Sequence, residues 1–279
     1  AEEVTYKGNK TKRPDIVLYI NGIAIGILEL KRGIVDIGEG IRQNITNMQD
    51  RFIKPFFATN QILFAGNDSE GLRYGTISSP EKFYLSWKED VEDNSRLLLD
   101  KYILKMCSKE RIIELLYDFI VFDAGIKKLP RAHQYFGVKE SQKYVNRSEG
   151  GIIWHTQGSG KSISMVYLAK WILENNPKAR VAIVTDRDEL DKQIEDVFTD
   201  SDEIIFRTKS GKDLMDKLGQ PSPRLLCSLV HKFGKKDVVN FEKYLNELSE
   251  NPVQVSGELF VFVDECHRTQ SGKLHKTMK

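Results

Sequence analysis

The chain has 279 residues, 40% of them hydrophobic and 29% charged, with a formal net charge of +2 at pH 7. That length allows two domains with cores of their own, and the composition is that of an ordinary globular protein. No apolar run approaches the ~20 residues that a helical bilayer crossing needs, so no membrane partner is expected, and nothing at the N-terminus resembles a signal peptide. In chain order, Asp15 to Lys31 reads as two β-rich runs around Asn21-Gly22, the pattern of a hairpin. Residues 39–51 are polar with spaced apolar positions and predict a helix, and Gln61–Ala65 and Tyr74–Ile77 predict further strands. Residues 1–87 therefore form a first small α/β unit with a mixed sheet. Residues 88–98 carry charge without periodicity, as a linker does, and Arg111–Phe122 has a broad apolar face at helical spacing. Residues 88–125 are thus a linker and helical connection.

From 126 to 279 strands alternate with helices. The predicted strands are Gly151–Trp154, Val181–Thr185, Ile204–Phe206, Leu225–Leu229 and Leu259–Val263; helices are predicted around 162–175, 188–198, 211–218 and 240–249. That βαβ rhythm predicts a parallel sheet with covering helices, so the expected fold class is α/β throughout. Cys107, Cys227 and Cys266 are scattered without metal-type spacing, which makes a reducing cytoplasm the default location. The chain opens Ala1-Glu2-Glu3 without Met and stops at Lys279, soon after a motif that normally sits mid-domain; a fragment of a larger protein is the expectation.

The run Trp154-His155-Thr156-Gln157-Gly158-Ser159-Gly160-Lys161-Ser162 lies between a predicted strand and a predicted helix. Glycines let the backbone curl with its N–H groups inward, and a helix N-terminus favours negative charge, so this is a phosphate cradle. Lys161 would reach the β/γ-phosphates and the Ser162 hydroxyl would ligate Mg²⁺. The full template has a Gly where this chain has His155. A partner stands 103 residues beyond Lys161, where the apolar run Leu259–Val263 ends in Asp264-Glu265-Cys266-His267. An unbroken apolar run suits a strand buried on both faces, and its C-terminal end lies at the ligand edge of an open α/β sheet. Asp264 is assigned to the ATP-bound Mg²⁺ and Glu265 to the general base that activates water.

Asp264-Glu265-Cys266-His267 resembles motif II of the superfamily 2 helicases and translocases. In the same resemblance, Thr185, Asp186 and Arg187 stand where motif Ia contacts the nucleic-acid backbone. Gln134, upstream of the loop, resembles the Gln motif that reads adenine, and Thr156 to Ser162 form the ATP site. Ser228–Phe233 stands where motif Ib would be.

The hairpin carries a second constellation, Pro14-Asp15 followed by Glu29-Leu30-Lys31, a PD…ExK pattern. Glu29 and Lys31 share a strand face. Metal-dependent nucleases need carboxylates, here Asp15 and Glu29, to hold Mg²⁺ at a scissile phosphate, and a lysine to polarise water and stabilise developing charge. A two-residue Asn21-Gly22 turn would pair Asp15 with Leu28 and put Asp15 on the face opposite Glu29; a longer loop or a bulge that restores them to one face is predicted. Gln43 is a further candidate. In RecB-like nucleases the helix after the ExK strand supplies Gln-x-x-x-Tyr, and here Asn47 stands in the Tyr position. Lys7, Lys10, Lys12 and Arg13 give the approach to Asp15 a basic character that favours DNA.

The combination resembles the restriction (R) subunits of type I restriction-modification enzymes. The parts that carry it are Arg13–Val17, Asn21-Gly22, Glu29–Lys31, Pro130–Gln134, the His155–Ser162 loop, Val184–Arg187 and Asp264–His267. The resemblance implies a PD-(D/E)xK nuclease domain followed by a RecA-like motor lobe, truncated after motif II. It implies ATP-driven translocation of double-stranded DNA, cleavage far from the recognition site, and assembly with methyltransferase and specificity subunits. The second RecA-like lobe is absent, so the fragment is expected to bind ATP weakly and hydrolyse it poorly. Another nuclease–helicase fusion for repair or defence, and a non-catalytic ATP-binding scaffold, remain as alternatives.

Overall fold

A computed structural model describes the chain except for residues 1–9, 90–92, 94, 124, 157, 186–193, 196–197, 199–204, 230–253 and 265–279. The chain divides into two compact units, one of residues 1–121 with 127–136 and the other of residues 122–126 with 137–279. No helix of the described residues is long and apolar enough to cross a membrane.

The first unit is built on a five-stranded mixed sheet in the order β1-β2-β3-β4-β5. Its strands are β1 (Ile16–Ile20), β2 (Ile23–Leu30), β3 (Ile62–Asn67), β4 (Gly71–Gly75) and β5 (Leu85–Ser86). Asn21 and Gly22 take positive φ values of 49° and 80°, the two left-handed positions of the tight turn between β1 and β2. All neighbours pair antiparallel except β2 and β3, which run parallel. A parallel pair needs a crossover, and helix α1 (Gly38–Asn47) supplies it.

Helix α1 lies on β2 and β3. Ile37, Ile41, Ile53 and Phe57 pack on Ile27, Leu63 and Ala65 to form the core of this layer. Close approach is possible because position 40 is Gly: a Cβ there would meet Ala65 Cβ at 3.1 Å and the Glu29 carbonyl at 3.3 Å. Helices α2 (Leu98–Met106) and α3 (Lys109–Asp118) follow and belong to the same unit, with α2 packed on β4. The Ser108 hydroxyl caps α3 by accepting from Arg111 N–H. Trp87, Tyr74 and Tyr135 stack edge-on around one another, and Arg111 lies over Trp87 and Tyr135 while pairing with Glu89 at 2.6 Å. Short strands β6 (Val121–Asp123) and β7 (Ile126–Lys128) form a two-stranded ribbon, and α4 (Ala132–Asn146) follows.

The second unit carries a four-stranded parallel sheet in the order β11-β8-β10-β9. Its strands are β8 (Ala179–Thr185), β9 (Ile205–Thr208), β10 (Leu225–Leu229) and β11 (Glu258–Val263). Every residue of β8 is buried, as suits a central parallel strand covered on both faces. Helix α5 (Lys161–Asn175) packs on β8, and α6 (Gly211–Leu218) on β9 and β10. Leu214 and Leu218 of α6 meet Ala182 and Leu226 in the core. Arg180, 2% exposed, ties this layer together: its guanidinium donates to the Lys217, Leu218, Gln220 and Ser256 carbonyls.

One expected strand is absent. Gly151–Trp154 pairs with nothing, and Ile152 and Trp154 are 81% and 90% exposed. A four-residue apolar run becomes a strand only where a ladder can receive it. Both sides of β8 are already taken, by β10 and β11, so only the sheet edges remain. The helix expected over 240–249 lies outside the described residues, as does most of that over 188–198, of which Ile194, Glu195 and Phe198 are described as helical.

Candidate functional site

The hairpin brings Asp15 and Glu29 to one place by the predicted route. Near the turn, Ile20 pairs with Ile23 and Tyr19 with Ala24. Beyond it Leu18 pairs with Gly26, Val17 with Ile27 and Ile16 with Leu28, so Ile25 is the extra residue of a β-bulge. The slip of one residue turns Asp15 to the face of Glu29. Asp15 Oδ2 accepts the Leu30 N–H at 2.7 Å, which ties the start of β1 to the end of β2.

Helix α1 closes the cluster from above. Gln43 and Asn47 are four residues apart, hence on one helix face. Gln43 Nε2 donates to Glu29 Oε2 at 2.6 Å, and Asn47 Nδ2 donates to Glu29 Oε1 at 3.2 Å. Lys31 Nζ donates to Gln43 Oε1 at 2.6 Å and to the Leu30 carbonyl at 3.1 Å. One amide thus links the carboxylate to the lysine. Glu29 is fully buried, whereas Asp15 is exposed. Burial first, and the neighbouring Asp15 carboxylate second, push the Glu29 carboxyl up to about 8 despite the opposing pull of Lys31.

Among the described residues no cluster of three or more His, Cys, Asp or Glu could hold a metal. Two carboxylates are enough for Mg²⁺, which prefers hard oxygen donors and keeps several of its waters. The register shift sets Asp15 on the same strand face as Glu29, so two hard carboxylate donors lie together there. The donor set therefore fits such a cation.

In the second unit, Thr156 and Ser159 close a turn in which the Ser159 N–H and Oγ reach the Thr156 carbonyl at 3.3 and 2.7 Å. Gly158 and Gly160 take φ values of 74° and 84°, a region that L side chains rarely adopt. Lys161 and Ser162 then open α5. The loop thus ends on a helix N-terminus, as an anion site requires. Asp264 follows β11, and its N–H donates to the Val184 carbonyl at 3.0 Å, beside Thr185 at the end of β8. Because β8 and β11 are parallel, Thr185 and Asp264 share the C-terminal edge of the sheet. Gln157, Asp186, Arg187 and Glu265 lie outside the described residues.

Gln134 belongs to the first unit, 4% exposed, and its Oε1 accepts the Arg131 N–H at 2.8 Å. That is the reciprocal half of a capping box, three residues into α4. Asn47 is the residue whose contact the sequence reading did not nominate; its spacing from Gln43 was the available signal.

Residues 133–279 match the family model described as SWI2/SNF2 ATPase, and residues 1–82 match that described as the N terminus of the type I restriction enzyme R protein. The first match covers more than half of the chain, and the chain belongs to the SWI2/SNF2 ATPase family. Curated relatives extend the likeness along the whole sequence. The type I restriction enzyme HindI endonuclease subunit of Haemophilus influenzae is 30% identical over 302 residues, covering 96% of this chain and 27% of that protein. The SauCOLORF180P endonuclease subunit of Staphylococcus aureus is 28% identical over 289 residues, covering 99% of this chain and 29% of its own length. The SsaAORF53P endonuclease subunit of Staphylococcus saprophyticus shows the same 28%, 99% and 29%. The resemblance to type I R subunits thus holds from end to end, although the chain spans less than a third of the length of these relatives.

Proposed function

We propose that this chain is the PD-(D/E)xK nuclease domain and first RecA-like motor lobe of a type I restriction subunit. Its work is ATP-dependent translocation and endonucleolytic cleavage of double-stranded DNA, in a complex with methyltransferase and specificity subunits. The observation that carries the nuclease half is the bulge at Ile25, which converts a hairpin with its acids on opposite faces into one with Asp15 and Glu29 side by side.

In this reading Asp15 and Glu29 hold Mg²⁺. When bound, the cation supplies a polarised phosphate oxygen and an acidified water. Lys31, held by Gln43 and the Leu30 carbonyl, stands ready to stabilise charge developing on the phosphate. Gln43 keeps the lysine and the glutamate in register. At the motor, Thr156 to Ser162 cradle the ATP phosphates and Lys161 meets the β/γ-phosphates. Ser162 and Asp264 hold the nucleotide Mg²⁺, and Glu265 activates water. Thr185, Asp186 and Arg187 touch the DNA backbone. Gln134 reads adenine through its amide, whose Oε1 keeps a second lone pair beside the one that accepts the Arg131 N–H.

The test is DNA cleavage by the assembled complex carrying Asp15→Ala. Cleavage should fall by about 10²-fold or more, while ATP hydrolysis stays within a factor of two. Cleavage at the wild-type rate would remove the nuclease assignment.

A further inference from the structure

Asn47 sits in the last turn of α1, 1% exposed, against a carboxylate that is itself fully buried. Its Nδ2 reaches Glu29 Oε1 at 3.2 Å while Gln43 Nε2 takes Oε2 at 2.6 Å. Both oxygens of one carboxylate are therefore held by amides from one helix face. The other end of the Asn47 amide is an anomaly: Oδ1 is buried without a hydrogen-bond partner. An orphaned buried acceptor is a penalty that an apolar residue of the same size would avoid. The main chain is anchored separately, since the Asn47 carbonyl accepts the Ile53 N–H at 3.2 Å.

We propose that Asn47 is a positioning residue of the carboxylate site, half of an amide clamp that fixes the rotation of Glu29 toward Asp15. The proposal rests on the nuclease reading above. With Oε1 and Oε2 each accepting one N–H, the two amides restrain rotation of the Glu29 carboxyl about its terminal torsion. The two acids are then ready for a divalent cation without further ordering, which is where the binding advantage arises.

The test is Mn²⁺ titration by calorimetry on this chain, together with its thermal midpoint in chelator. Asn47→Leu keeps the branched outline in a larger side chain and removes both the donor and the orphan; Asn47→Ala is the second variant. Both should weaken Mn²⁺ binding by about 10- to 100-fold while remaining folded in chelator. Wild-type Mn²⁺ affinity in a folded Asn47→Leu overturns the clamp, and so does failure of both variants to fold, which would make Asn47 structural. Asp15→Ala separates the two levels of the claim. If Asp15→Ala abolishes Mn²⁺ binding and Asn47→Leu leaves it unchanged, only the clamp fails. If the wild type does not bind Mn²⁺, or Asp15→Ala binds it as well as wild type, the underlying site fails too.

Discussion

Glu29 keeps its proton in the folded, metal-free chain because burial and the Asp15 carboxylate both oppose its ionisation. Its folded value of about 8 stands above the ordinary 4.5, so the folded state binds this proton more tightly than the unfolded chain does. The resulting stabilisation is present in full below about 4.5 and is lost as pH climbs through about 8. In chelator, the thermal midpoint of the chain should therefore fall between pH 6 and pH 9. Glu29→Gln, which is neutral throughout, should flatten that dependence; an equal fall in the variant would locate the titration elsewhere. Arg180 makes a second residue-scale prediction. Its buried guanidinium satisfies the carbonyls of Lys217 and Leu218 at the end of α6, so Arg180→Leu leaves those acceptors without their donor. The loss should be about 3 kcal/mol in urea unfolding of the second unit.

Among elements, the β1–β2 hairpin and α1 make the site between them. Gly40→Val would press a branched side chain onto Ala65 and the Glu29 carbonyl, lifting α1 from the strands. Overpacking of this kind costs about 1–3 kcal/mol, and the displaced Gln43 and Asn47 should weaken Mn²⁺ binding as well. Unchanged Mn²⁺ affinity in calorimetry would show that α1 does not set the site. The bulge was legible in the sequence because it follows from two local facts, the Asn21-Gly22 turn and the need for two acids on one face. The Glu29 clamp was only half legible. Helical spacing aligns Gln43 with Asn47, but their reach to Glu29 depends on a parallel β2–β3 crossover and the missing Cβ at Gly40, which no local pattern encodes. Gly151–Trp154 shows the opposite failure: apolar composition suggested a strand, yet a strand also needs a neighbour to pair with, which composition does not encode. Gln134 was read for adenine, while its local arrangement three residues after Arg131 also satisfies a helix cap.

For the molecule as a whole, two chemistries lie on one chain in separate compact units: a carboxylate–lysine cluster in the first and a glycine loop with its helix in the second. That a mixed sheet is followed by a parallel one was readable from the change in strand rhythm. The assignment of α2 and α3 to the first unit was not, because it depends on packing against β4. On the proposed function the two units should give different mutational signatures. The decisive measurement takes the assembled restriction complex and follows translocation and cleavage of double-stranded DNA together, in wild type, Lys31→Ala and Lys161→Ala. Lys31→Ala should translocate at the wild-type rate and fail to cut, whereas Lys161→Ala should do neither. Cleavage by Lys31→Ala, or translocation by Lys161→Ala, would contradict a nuclease driven by an ATP motor.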